Sequence, residues 1–481
     1  MAFAFNFGAA LPEIVLAGAA CVILVVDLFL ADAQRRISYW LTQLALLAAA
    51  ALTLVFFPDE APVRALGGMF VADQLASVLK IFAYISVFLM LVYSRNYLAA
   101  RGLFRGETFV LALTALLGML VMISANNFVP LYLGLELMSL SLYAMVALQR
   151  ESRRAVEAAM KYFVLGALAS GLLLYGLSMV YGATGTLDIT AAADAMVRGH
   201  PNRTILVFGL VFVVSSIAFK LGGVPYHMWL PDVYDGAPTA ITLFVGTAPK
   251  LAAFAFAMRL LVGALSALAV DWQGMLLVLS LLSMLLGNVV AIAQTNIKRM
   301  LAYSTIANMG FMLMGLLAAN SEGYSAAMFY VVTYVLTTLV GFGVVLLLSR
   351  EGFEADQLDD LKGLNQRSPW YAFMMLLAMF SLAGVPPAVG FYAKFSVIWA
   401  VIDIGFVWLA VVAVLASLIG AFYYLRIVKL MYFDEPVDKT PIEARGDTRL
   451  LLSLNGLALL LLGIFPQKLM GLCALALTHS Y

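Results

Sequence analysis

Runs of about twenty apolar residues recur along almost all of this 481-residue chain, each long enough to cross a bilayer's hydrocarbon as a helix. Fourteen such runs are expected, with approximate limits 11–30, 38–57, 71–93, 108–124, 127–148, 158–181, 204–232, 238–263, 272–294, 300–318, 324–349, 370–402, 405–432 and 450–465. The longest polar links, Arg350–Ser368 and Asp434–Arg449, are too short for a soluble domain. Hydrophobic residues make up 64%, charged residues only 11%, and mean hydropathy is +0.99, whereas soluble chains run at roughly half and a quarter. The sequence predicts an all-α polytopic membrane protein. A formal net charge of +1 gives no footing for a nucleic-acid partner.

Two runs are too long for one straight helix. Trp370–Ile402 would extend about 50 Å at 1.5 Å per residue, against roughly 30 Å of hydrocarbon, and Thr204–Asp232 has the same excess. Each holds a cluster of helix breakers, LGGVP at Leu221–Pro225 and LAGVPP at Leu382–Pro387. Both runs are therefore expected to be discontinuous, which membranes tolerate only where protein or water satisfies the freed backbone. The breaker clusters fall at corresponding places in runs four to eight and nine to thirteen. Five spans per unit is an odd number, so the second unit would be inverted relative to the first, an arrangement that points to a transport site. The expected organisation is a three-helix segment (1–106), a first five-helix repeat (107–266), a second inverted repeat (267–433), and a link with the last helix (434–481).

The basic residues gather in alternate loops: Arg35 and Arg36; Arg95, Arg101 and Arg105; Arg150, Arg153 and Arg154; Lys298 and Arg299; Arg350, Lys362 and Arg367; Lys439, Arg445 and Arg449. The opposite loops hold little beyond Arg64, Arg198, Arg203 and Lys468. The positive-inside rule then places the basic loops in the cytoplasm and both termini outside. Leu11–Leu30 lacks the preceding basic region of a signal peptide and is expected to be a retained first helix.

Against this background, ionisable side chains inside the spans stand out, because a charge at mid-bilayer costs about 2.5–3.5 kcal/mol on insertion scales and usually marks an ion route. Glu136, Lys161, Lys220, Lys250 and Lys394 are such residues. Glu136 reads either as a carboxylate bonded to a neighbouring helix or as the acidic partner of a buried lysine. An opposite charge holds both groups ionised, and desolvation alone drives each toward neutrality, which is the physical basis of a charge-controlled proton site. Lys220, directly before its break, is either internal or snorkels to an interface. Lys250 is too deep to snorkel easily, and Lys394 follows the second break. Lys161 sits four residues after Glu157 and reads equally as an interfacial anchor. His227 reads as a relay between Lys220 and Lys250 or as a satisfied polar group. His200 and His479 are given no role; Lys80 and Asp73 read as structural or interfacial; Asp232 and Asp235 lie near the route without an assignment.

Cys21 and Cys473 form no CxxC and no cluster pattern, so no metal or redox cofactor is expected in this chain. There is no GxxxxGK[ST], no HExxH and no strand-bound GxGxxG.

TNIKRMLAYSTIANMG (Thr295–Gly310) and KLGGVPYHMWLPDVYDGAPT (Lys220–Thr239), followed by Lys250, resemble characteristic segments of the antiporter-like membrane subunits of respiratory complex I (NADH:quinone oxidoreductase). The resemblance covers essentially all fourteen runs. SLAGVPPAVGFYAKF (Ser381–Phe395) is most similar to the N-type members; an M-type subunit would carry glutamate at Lys394, and an L-type subunit a long lateral helix. The resemblance implies a proton path through Glu136, Lys220, Lys250 and Lys394, with Lys161 and His227 as accessory members. It also implies a non-redox translocase subunit in a bacterial inner membrane. NADH, FMN, iron–sulfur clusters and quinone would belong to other subunits, and the partners would be other complex I membrane subunits, including antiporter-like neighbours. The competing readings are a subunit of a multi-subunit cation/proton antiporter, a subunit of a proton-pumping hydrogenase, and a passive membrane spacer.

Overall fold

The computed structural model describes residues 7–58, 61–199, 201–438, 440–478 and 480. His200, His479 and Lys439 lie outside the described residues. Among those described, twelve helices are long and apolar enough to cross a membrane, and shorter apolar helices supply the rest. Each expected run appears as helix, from Leu11–Asp27 and Arg36–Val55 at one end to Val407–Phe433 and Gly446–Ile464 at the other. Elements that were not expected include a helix at Ile189–Arg198, a further helix at Gln467–Thr478, and a small antiparallel hairpin pairing Val63–Ala65 with Phe70–Ala72.

Both over-long runs break where the glycine–proline clusters fall. The first divides into Arg203–Leu221 and Trp229–Gly236, the second into Pro369–Ala383 and Val389–Asp403. The two breaks share one local construction. Gly222 (φ +84°) and Gly384 (φ +83°) adopt the left-handed conformation that a Cβ disfavours. Each closes its helix with the paired bonds of a glycine C-terminal motif. The Gly222 and Gly223 N–H groups donate to Ala218 O at 2.9 and 2.7 Å, and those of Gly384 and Val385 donate to Phe380 O at 2.9 Å each.

A third interruption was not anticipated. The run expected at 238–263 is Thr239–Val245, then Ala248–Ala257, then a π-helical turn at Met258–Ala264. Pro249, second in the middle piece, has no N–H to continue the hydrogen-bond ladder across Gly246 and Thr247.

One polar face orients the two broken helices. At the end of Trp229–Gly236, Asp235 accepts from Arg154 (2.9 Å) and Asn296 (3.1 Å), and Arg154 also reaches Asp356 at 4.0 Å. Asn296 pairs with Gln357, twelve residues before the start of Pro369–Ala383. The first broken helix therefore runs toward this face and the second away from it, the antiparallel relation expected of inverted units.

Candidate functional site

A helix that stops inside a membrane strands its last carbonyls, which must find donors. At the first break they do so through side chains. Trp229 Nε1 donates to Phe219 O at 2.9 Å, and Lys250 Nζ donates to Leu221 O at 3.0 Å and Lys220 O at 3.3 Å. Lys250 is 1% exposed, and its Nζ also lies 5.5 Å from the Trp229 ring centre. The second break repeats the device. Lys394 Nζ donates to Ala383 O and to Ser417 Oγ, both at 3.0 Å, and sits 4.9 Å over the Phe311 ring. Each ammonium thus occupies the negative end of a truncated helix, where dipole and orphan carbonyls favour a cation. The cap comes from the following span at the first break and from the broken helix's own second half at the other.

Lys220 is buried, and its Nζ donates to Ser139 Oγ at 2.8 Å; Ser139 in turn donates to Leu135 O at 2.6 Å. The expected direct ion pair with Glu136 is not formed: Ser139, one turn further along the same helix, takes the contact. The helix periodicity gives the reason. Val129, Leu133 and Leu140 are exposed, and Glu136 shares their stripe, whereas Ser139 faces inward. Glu136 is half-buried, and its Oε1 has no hydrogen-bond partner among the described residues.

Lys161 lies elsewhere, partly exposed, 2.9 Å from both Glu157 and Asp232. Asp232 also takes Arg299 at 3.0 Å. With Arg154 and Asp235 these groups line a polar cleft of about 180 Å³ on the face that receives the first broken helix. The i,i+4 contact with Glu157 was legible in the sequence; the larger cluster was not. His227 is half-buried in the break and makes no hydrogen bond to Lys220 or Lys250 among the described residues.

Several partners escaped sequence reasoning. Ser139, Ser417 and Trp229 are ordinary residue types whose role depends on facing a lysine. Lys80 and Asp73 do make structural contacts. Lys80 pairs with Glu13 at 2.5 Å, and Asp73 takes Arg259 through two bonds of 2.6 and 2.9 Å, all four groups being buried. No cluster of three or more metal-ligating side chains occurs among the described residues.

Two families match the chain: "NADH:quinone oxidoreductase/Mrp antiporter, TM" over residues 125–420, and "NADH-ubiquinone oxidoreductase chain 4, amino terminus" over residues 19–123. NADH-quinone oxidoreductase subunit N of Thiobacillus denitrificans is 62% identical over 476 residues, covering 99% of this chain and 98% of the relative. The protein of the same description from Methylovorus glucosotrophus is 59% identical over 473 residues, covering 98% of each. Among solved structures, a chain of respiratory complex I from Thermus thermophilus superposes with a TM-score of 0.81 at 31% identity, covering 96% of this chain and 99% of that one. A chain of the Mrp complex from Dietzia sp. superposes at 0.82 with 23% identity over 98% and 97% of the two chains, a likeness of fold alone.

Proposed function

This chain belongs to the NADH-quinone oxidoreductase subunit N family, and from that premise we propose how its buried charges move protons. It is a proton-translocating membrane subunit of NADH:quinone oxidoreductase. In our reading Glu136, Lys220, Lys250 and Lys394 form the relay. The two units at 107–266 and 267–433 each contribute one lysine-capped break. Redox chemistry, with NADH, FMN, iron–sulfur clusters and quinone, takes place in other subunits, and this chain converts the energy released there into proton movement.

The observation that carries this reading is that Lys250 Nζ binds the carbonyl of Lys220 itself, so the two lysines share one helix end. The Lys220 ammonium itself reaches away to Ser139, so the link between the two lysines is the main chain at this helix end. In this reading the proton reaches Lys220 past Ser139, whose hydroxyl both accepts and donates, and Lys250 passes it on from the shared helix end. Glu136, one turn from Ser139, biases that step by its charge without touching the lysine. Lys394, capping the second break in the same way, receives the proton and releases it on the far side. With the basic loops in the cytoplasm of a bacterial inner membrane, transfer runs from there outward. Lys161 sits at the polar cleft as an accessory group, and His227 in the break as another.

The test is Lys220→Ala in the complete enzyme, with proton uptake and NADH oxidation followed together in sealed inverted vesicles. Pumping should fall sharply while the complex assembles. Unchanged pumping in a normally assembled complex would remove Lys220 from the path.

A further inference from the structure

The membrane face opposite Asp235 and Asn296 carries a groove that the relay does not use. Ile297–Leu317 starts beside Asn296 and rises about 31 Å, enough to cross the hydrocarbon. The turn before Ser321–Leu348 therefore lies at that opposite face. Val389–Asp403, the second half of the second broken helix, runs the same way and ends there too. These two helices and Gln467–Thr478 enclose a groove of about 340 Å³.

One part of the groove is aromatic. Phe391, Phe395 and Trp399 recur every fourth residue on the exposed side of Val389–Asp403, whereas Lys394 faces inward and is buried. Their rings stack in sequence, with centres 6.4 and 6.2 Å apart. Phe395 and Trp399 line the groove, and the strip continues toward the break as an apolar track about 12 Å long. The rest is polar, with an unusual donor balance. Glu322, in the first turn of Ser321–Leu348, is the one charged side chain in the lining, and no lysine, arginine or histidine joins it. Ser325, Ser396 and Thr478 each donate their hydroxyl hydrogen to a main-chain carbonyl of their own helix, at 2.7, 2.7 and 2.9 Å. Their oxygens have lone pairs to offer and no hydrogen. Of the lining hydroxyls, Ser321 and Tyr392 make no hydrogen bond among the described residues and keep a hydrogen to give.

We propose that this groove binds a phospholipid whose headgroup carries a primary ammonium, as in phosphatidylethanolamine, with an acyl chain laid along Phe391, Phe395 and Trp399. The ammonium has three hydrogens and no acceptor, the complement of a wall built from a carboxylate and hydroxyl lone pairs. A trimethylammonium headgroup has the charge but no hydrogen to donate. A headgroup of net negative charge would meet Glu322 with no cation in the lining to offset it. In a zwitterionic lipid the phosphodiester is balanced by its own ammonium, so two neutral donors, Ser321 and Tyr392, suffice for it. Trp399 stands near the helix end, at the headgroup level that an amphipathic ring favours. A helix of a neighbouring subunit is too large an occupant: at 10–12 Å across, one 5.4 Å turn fills about 420 Å³ or more. The site stands apart from the lysine relay, and neither depends on the other.

The test places the complete enzyme in phosphatidylcholine vesicles holding a trace of phospholipid with a photoreactive acyl chain, and maps the adducts by peptide mass spectrometry. Three such lipids differ only in headgroup: ethanolamine, choline and glycerol. Labelling of Val389–Asp403 and Gln467–Thr478 is expected to be about tenfold higher with ethanolamine, a ratio that one hydrogen bond to a charged group sustains. The exposed side of Val407–Phe433 serves as reference and should take all three equally. Glu322→Gln should erase the preference and Glu322→Asp keep it, with assembly and NADH oxidation unchanged in both. Equal labelling of the groove by all three lipids would mean unselective boundary lipid and overturn the site. Strongest labelling by the glycerol lipid would mean an anionic ligand and overturn it as well. Labelling of Val407–Phe433 with none in the groove would show a neighbouring subunit covering it, against the proposal. A preference that survives in Glu322→Gln would overturn the ammonium contact.

Discussion

Lys250 Nζ donates 3.3 Å to the main-chain carbonyl of Lys220, so one lysine caps the helix that ends in the other. In the proposed relay a charged group here is a structural plug as well as a proton carrier. Lys250→Met keeps the volume but strands the carbonyls of Lys220 and Leu221, at a cost of about 1–3 kcal/mol for each. The variant is expected to lose pumping and also to lower the thermal inactivation temperature of the assembled complex. Inactivation at the unmodified temperature would show that water replaces the ammonium cap.

Ser139 stands between Glu136 and Lys220. Ser139→Ala removes the hydrogen bond that Lys220 Nζ makes among the described residues and leaves the buried ammonium only the Phe219 ring, 5.6 Å away; Ser139→Thr keeps the oxygen. Proton pumping per NADH is expected to fall by about fivefold in the alanine variant, equivalent to roughly 1 kcal/mol, and to survive in the threonine variant. If threonine behaves like alanine, the contact serves packing.

Glu13 and Lys80 form a buried pair outside the relay, 2.5 Å apart. Breaking such a pair by Lys80→Met leaves a desolvated carboxylate and is expected to cost about 3–5 kcal/mol, seen as poor assembly or a lowered melting temperature. The double replacement Lys80→Met with Glu13→Leu removes both charges and should recover most of that loss. Pumping per NADH in the double variant should match the unmodified enzyme, which separates this lysine from Lys220, Lys250 and Lys394. A double variant no better than the single would refute the reading of an isolated structural pair.

The link after helix Val407–Phe433 is fastened through Asp438, which accepts from the Thr440 hydroxyl and backbone N–H at 2.5 and 2.9 Å and meets Arg350 at 2.6 Å and Arg367 at 3.3 Å. The Thr440 hydroxyl first, then its N–H and the two arginines, hold this carboxyl well below the usual carboxylate range. A depressed carboxyl contributes stability above its unfolded value, near pH ~3.9, and loses it only as pH falls further through the folded value. Cleavage by a protease within this link should therefore stay slow from neutral pH down to about pH 4 and rise below it. Asp438→Asn should raise cleavage at neutral pH; equal cleavage in the two forms would sink the fastening role.

The sequence by itself determined which runs become apolar helices and where two of them fail. Those properties depend on local chemistry: twenty apolar residues satisfy the bilayer, and glycine followed by proline ends a helix in any surroundings. It also picked out the lysines, because a charge in an apolar run is costly wherever it lies. The interruption at Gly246 and Pro249 was equally local in origin but was masked by an apolar run of ordinary length.

What only the tertiary structure decided is which atom each lysine touches. Lys220 meets Ser139 and not Glu136 because helix rotation turns the carboxylate to the outer stripe, a matter of packing angle that spacing alone does not set. Lys250 and Lys394 bind main-chain carbonyls, which every residue carries and which no sequence pattern marks. Tyr234, Thr305 and Tyr334 meet through hydrogen bonds although 100 positions separate the first from the last, and only the packing of their three helices brings them together.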